Sequence, residues 1–137
     1  IHPRVLTDRG LPQALRELAD DAAVPVTVEA DFDERPAPLV EAMAYFAVAE
    51  ALTNIAKHAE ATTAQISARV TGRRGGRRLT VEIRDDGRGG ARPGDGSGLT
   101  GMADRMDVVH GAMLVSSPPG GPTVVRLEIP WLPRPSE

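Results

Sequence analysis

The spacing of hydrophobic and polar positions changes several times along this chain, and each change marks an element. Over residues 11–23, "LPQALRELADDAA", Leu11, Leu15, Leu18 and Ala22 recur at helical intervals with Pro12 near the start, which predicts an amphipathic helix. "VPVTVEADF" then alternates Val24, Val26, Val28 and Ala30, a strand pattern brought to an end by Pro36 and Pro38. A long helix is expected from about Leu39 to His58, with Tyr45, Val48, Leu52, Ile55 and Ala59 as its core stripe. Period two returns in "TAQISARVT" (63–71) and "RLTVEIRD" (78–85), joined by the turn "GRRGGRR". "LTGMADRMDVVH" (99–110) reads as a helix with Leu99, Met102, Met106 and Val109 on one face and Gly111 as its stop. "AMLVSS" and "TVVRLEIP" close the pattern as a strand pair linked by "PPGGP". The tail "PWLPRPSE" is too proline-rich to continue a central strand. Helix, strand, helix, two strands, loop, helix and two strands predict an α+β sandwich, one sheet under a helical layer.

Composition narrows the field. A chain of 137 residues with 41% hydrophobic content suffices for one domain with a single core. The net charge of -3 argues against a general nucleic-acid or anionic-membrane binder. One Trp, one Tyr and two Phe leave no stacking surface for single-stranded nucleic acid. The arginines of "GRRGGRR" read as solvated turn residues. Without cysteine there are no disulfides and no thiolate metal sites. No apolar run is expected to reach the roughly 20 residues that span a bilayer, and no signal peptide is visible. The chain begins at Ile1 rather than Met and is expected to be a piece of a longer protein.

Three stretches carry candidate chemistry. "VEIRDDGRGG" (81–90) begins as a strand and ends in two acids followed by three glycines within four residues. An acid at a strand end accepts a hydrogen bond from an exocyclic amine, and bare glycine backbone lets a flat ring approach. In "YFAVAEALTNIAKHAEA", Glu50, Asn54 and Lys57 fall opposite the core stripe with His58 beside them. An ordinary solvated helix face has this pattern too. Asn, however, is a mediocre helix former with no structural reason to sit mid-helix, and an acid, an amide oxygen and a cation in succession suit a nucleotide–metal site. In "GDGSGLTGM" (94–102), Gly96, Gly98 and Gly101 spell G-x-G-x-x-G. They follow a loop rather than a strand, and no acid ends a strand about 20 residues on, so the dinucleotide-binding reading fails. No G-K-[ST] is present for a Walker A loop. What remains is a glycine-rich helix start with unshielded N–H groups that favours an anion.

Taken together, the three stretches resemble the ATP-binding catalytic domain of sensor histidine kinases, in the gyrase–chaperone–kinase (GHKL) superfamily with the Bergerat fold. "EALTNIAKHA" (50–59) resembles the N box, "DDGRGG" (85–90) the G1 box and "GSGLTGM" (96–102) the G2 box. "IHPRVLTDRGLPQALRELA" and "TNIAKHA" resemble the nitrate-sensor-like subclass, whose partners are response regulators with a helix-turn-helix output domain. The resemblance implies a mixed, mostly antiparallel sheet covered on one face by about three helices. It implies a connector over 1–10, the ATP-binding catalytic domain over 11–130 and a flexible tail over 131–137. Asp85 would accept from the adenine amine, and Gly87 and Gly89 would admit ring and ribose. Asn54 would coordinate Mg²⁺, while Lys57 and His58 would contact phosphates. Gly96, Gly98 and Gly101, with Leu99 at the helix start, would form the hinge of the ATP lid. Glu50 holds the position of the superfamily's activating acid and is a candidate base.

Two departures stand out. No phosphoacceptor motif of the E-L-H-D kind is present, and His2, His58 and His110 do not fit that role, so the phosphoacceptor is expected on a separate dimerising domain. "ARPGD" is a very short lid, and no F box follows it. The expected activity is a protein histidine kinase using ATP and Mg²⁺, cytoplasmic in its catalytic part and homodimeric in its parent. Its partners would be its own histidine-bearing domain and a response regulator, with no nucleic acid. The alternatives are an anti-sigma-factor serine kinase of the same fold and a degenerate nucleotide-binding scaffold.

Overall fold

The computed structural model describes residues 3–73, 75–95 and 98–132. Ten elements follow one another: α1 (Arg4–Arg9), α2 (Leu11–Asp20), β1 (Val26–Glu29), α3 (Pro38–Asn54) running into a π-helical turn (Ile55–Ala59), β2 (Ala64–Thr71), β3 (Arg78–Asp85), α4 (Leu99–Val108), β4 (Ala112–Ser116) and β5 (Thr123–Pro130). The strands form one sheet in the order β1-β2-β3-β5-β4. β1 pairs parallel with β2, and every other pairing is antiparallel. This is the expected mixed, mostly antiparallel sheet with helices on one face.

Alternation decides what each strand sends under the helices. Leu79, Val81 and Ile83 of β3, Ala64, Ile66 and Ala68 of β2, and Val125, Leu127 and Ile129 of β5 are buried in one core. Leu11, Leu15, Val40, Val48, Met102 and Met106 meet them from the helical layer. Two polar residues end these inward series. Asp85 follows Ile83 on β3, and Thr123 precedes Val125 on β5; the two are paired in register across the sheet.

Several expectations shift. The core stripe of α3 is rotated: Val40, Ala44, Ala47, Val48, Ala51 and Ile55 are buried, whereas Tyr45 and Leu52 are half-buried. The reason is steric, because alanines let the helix lie close to its neighbours. α2, α4 and β3 all pack on α3. The helix from Pro38 to His58 is, contrary to expectation, long and apolar enough by length and composition to cross a membrane, with mean hydropathy 1.3. Within this fold its apolar sides meet the sheet and the flanking helices.

α4 ends at Val108, and the left-handed residue after it is His110 (φ 56°), not Gly111. Gly111 is needed for clearance, since a Cβ there would lie 2.9 Å from the Glu128 carbonyl oxygen.

Both ends of the described chain are tied down. Residues 4–9, read as part of a connector, form a helix with Leu6 buried. Arg35 fixes that helix, donating to the carbonyls of Leu6 (2.8 Å) and Thr7 (3.0 Å) while paired with Glu41 at 2.8 Å. At the other end Trp131 donates its backbone N–H to the Arg77 carbonyl at 2.9 Å, and its ring stacks beneath the Arg77 guanidinium. Leu132 accepts from the Ala37 amide. The flexible tail expected from 131 is therefore anchored at its first two residues, and 133–137 lie outside the described residues.

Candidate functional site

The end of β3 builds the centre of the site. Because Asp85 continues the inward series 79, 81, 83, its carboxylate is carried under the helical layer, and the residue is only 5% exposed. Burial pushes its carboxyl above the ordinary value against the pull of the Gly87 N–H, and neighbouring Asp86 adds to the rise. The Gly87 amide donates to Oδ1 at 2.8 Å. Asp86 faces the other way. Its Oδ1 accepts from the amides of Thr62 (2.8 Å) and Thr63 (3.0 Å), and its Oδ2 from the Thr62 hydroxyl. These donors hold its carboxyl down at about 2. The adjacent acids divide the work: Asp86 fastens the strand end to the loop before β2, and Asp85 is left facing a cleft.

That cleft, about 140 Å³, is lined by Asn54, His58, Asp85, Arg88, Gly89 and Thr123, among others. The long helix and the strand end thus bring Asn54, His58, Asp85 and Gly89 to one place, as the three-stretch reading anticipates. Lys57 is exposed on the same π-helical turn but is absent from the cleft wall. The π-helical turn alters the phase of residues 55–59, and Glu60 in left-handed conformation (φ 54°) ends it.

Residues 40–133 match the family described as "Histidine kinase-, DNA gyrase B-, and HSP90-like ATPase". The chain belongs to this ATPase family. The sensor histidine kinase NarS of Mycobacterium tuberculosis is 28% identical over 141 residues, covering 95% of this chain and 32% of NarS. The sensor histidine kinase YvfT of Bacillus subtilis is 35% identical over 96 residues, covering 69% of this chain and 24% of YvfT. The chain thus spans between about a quarter and a third of these two relatives. Among solved structures, the ATP-binding domain of PrrB from Mycobacterium tuberculosis superimposes with a TM-score of 0.63 at 26% identity over 92% of each chain.

In this ATPase domain the glycines have closer-range reasons than ligand access. Gly89 (φ 68°) lies against the β4–β5 loop, where a Cβ would stand 1.9 Å from the Pro118 carbonyl oxygen. On the facing loop a Cβ at Gly121 would stand 2.0 Å from the Gly87 carbonyl oxygen. The two loops are laced by Gly90 N–H to Ser117 O (2.8 Å) and Gly120 N–H to Arg88 O (2.7 Å). Ser117 Oγ accepts from the Ala91 amide at 2.9 Å and shares a hydrogen bond with Thr123 Oγ1 at 2.6 Å.

Gly98 and Gly101 lie against α3. A Cβ on Gly98 would meet Asn54 Oδ1 at 2.7 Å, and one on Gly101 would meet Glu50 Oε1 at 2.9 Å. Gly98 begins α4 in left-handed conformation, and Leu99 next to it is buried. Gly96 lies outside the described residues. Glu50 pairs with Arg105 of α4 at 2.5 Å.

Arg88 lines the cleft without having been given a role from sequence, and Thr123, Ser117 and Arg105 are further residues that sequence reasoning missed. For Thr123 a signal existed, since it continues the inward series 125, 127, 129 as Asp85 continues its own. The other two depend on contacts between remote segments.

The residues present fit a nucleotide with a hard divalent cation. The Gly87 amide occupies Asp85 Oδ1, and Asp85 presents the rest of its carboxylate to the cleft. Among the described residues no group of three or more His, Cys, Asp or Glu is placed to hold a metal by itself. Asn54 offers an amide oxygen, suited to an ion that takes its remaining ligands from phosphates and water.

Proposed function

We propose that this chain is the ATP-binding catalytic part of a sensor histidine kinase. It would bind Mg-ATP in the cleft between α3 and the end of β3, and present the γ-phosphoryl to a histidine on a separate, dimerising domain. The carrying observation is Asp85, a carboxylate held at the end of an inward-facing strand series and opening onto the same cleft as Asn54 and His58. Support comes from membership of the ATPase family and from relatives named sensor histidine kinases.

In this reading Asp85 accepts from the adenine amine and thereby selects the base. Guanine places a carbonyl oxygen there, and two opposed acceptors in a buried site cost about 1–3 kcal/mol. Gly87 and Gly89 leave the ring and ribose room, and Asn54 holds Mg²⁺. His58 and Lys57 contact the phosphates, with Lys57 reaching inward from its exposed position. Gly98 and Gly101 hinge a short lid. Mg²⁺, when bound, neutralises phosphate charge. The chain itself orients the nucleotide and supplies cations and amides around the phosphates.

The parent is a homodimer whose catalytic part is cytoplasmic, and its phosphohistidine passes the group to a response-regulator aspartate. Mixing this chain and Mg-ATP with the parent's histidine-bearing domain tests the proposal. Acid-labile phosphate on that domain is the expected product. Acid-stable phosphoserine on a protein partner would favour the serine-kinase alternative, and no transfer to either would favour a scaffold.

A further inference from the structure

We propose that Arg105 is a positioning residue that clamps Glu50 onto the first turn of α4, making Glu50 an anchor for that helix start and not a base. The proposal rests on the nucleotide-binding reading above. Arg105 Nη1 donates to Glu50 Oε2 at 2.5 Å and to the Gly101 carbonyl at 3.2 Å, so one guanidinium joins α3 to the helix start. Both side chains are about one-third exposed, which screens the pair less than a fully solvated one. Gly101 has no side chain where the Glu50 carboxylate lies. One turn further along α3, Asn54 fills the corresponding space at Gly98 and donates to Met102 Sδ at 4.0 Å. Glu50 and Asn54 thus grip two successive points of the same first turn. Only Asn54 also lines the cleft; among the residues of α3 described there, Glu50 is not part of the wall.

The geometry divides labour between two residues at helical spacing. Asn54 serves the ligand, and Glu50, held by Arg105, keeps the helix start in register beneath it. Loosening the clamp lets the helix start shift at Gly98, which packs directly against Asn54, so nucleotide affinity falls although no ligand contact has been removed.

The test is calorimetric titration of this chain with Mg-ATP, with amide hydrogen exchange over residues 98–103 measured in parallel. Arg105→Ala and Glu50→Ala are each expected to weaken binding about 5- to 10-fold and to speed exchange over 98–103. The double variant should be no worse than either single one. The charge swap, Glu50→Arg with Arg105→Glu, should recover most of the loss, and Arg105→Lys should recover part of it. Should the alanine variants fold poorly, Glu50→Gln and Arg105→Lys give the same cycle in milder form.

Single variants that bind like the parent with unchanged exchange would overturn the proposal. So would losses that multiply in the double variant. If the parent itself fails to bind Mg-ATP, the functional reading fails instead. Exchange over 98–103 then still decides whether the clamp exists.

Discussion

Asp85 and Asp86 are chain neighbours in opposite environments, and the difference has consequences for stability. Asp86 has a folded-state carboxyl held at about 2, below its ordinary value. Its stabilisation is therefore complete above pH ~4 and is lost as pH falls toward 2. Asp86→Asn should lower the melting temperature at pH 7 and shrink the parent–variant gap across that interval, as measured by thermal melts from pH 2 to pH 7. Asp85 has the reverse sign. Its carboxyl is raised by burial, so the charged form costs stability above its folded value, and the cost fades as protonation proceeds on acidification. Asp85→Asn should melt at or above the parent's temperature at pH 7, with the advantage vanishing on acidification. A residue whose loss leaves the fold no weaker is retained for something other than the fold.

At the scale of elements, the G1 loop is a surface docked against the β4–β5 loop. Two substitutions separate docking from backbone strain. Gly90 (φ 80°) has open space around its would-be Cβ, so Gly90→Ala bears only the left-handed penalty of about 1–2 kcal/mol. At Gly89 the same penalty is joined by a collision with Pro118 O, and overpacking adds about 1–3 kcal/mol. Urea unfolding should therefore rank Gly89→Ala clearly below Gly90→Ala. Equal losses would mean that the loop contact contributes nothing.

The strands and α4 with its buried Leu99, Met102, Met106 and Val109 were legible because periodicity encodes them locally, whereas the convergence of Asn54 with Asp85 was expected from the resemblance of the three stretches taken together. What was not legible arises between segments. The rotated stripe of α3 follows from packing on several sides. The anchoring of Trp131 depends on Arg77 and that of Leu132 on Ala37, both far away in sequence. A π-helical turn at 55–59 leaves no mark in hydrophobic spacing. Gly89, Gly98 and Gly101 were recognised as important, yet their close approaches to Pro118, Asn54 and Glu50 require the fold to be seen.

At the scale of the molecule, α3 joins the parts. It bears the core, carries Asn54 to the cleft, and receives α1 through the Arg35–Glu41 pair and α4 through Glu50 and Arg105. A site assembled from α3, the end of β3 and the start of β5 has no local folding unit of its own, so ligand binding and global stability are linked. If Asp85 selects adenine, the most direct measurement is calorimetric titration of this chain and of Asp85→Asn with ATP and GTP in the presence of Mg²⁺. The parent is predicted to bind ATP and not GTP, and the folded variant to lose ATP by about 10- to 100-fold or more. Equal binding of both nucleotides, unchanged in Asp85→Asn, would contradict the account.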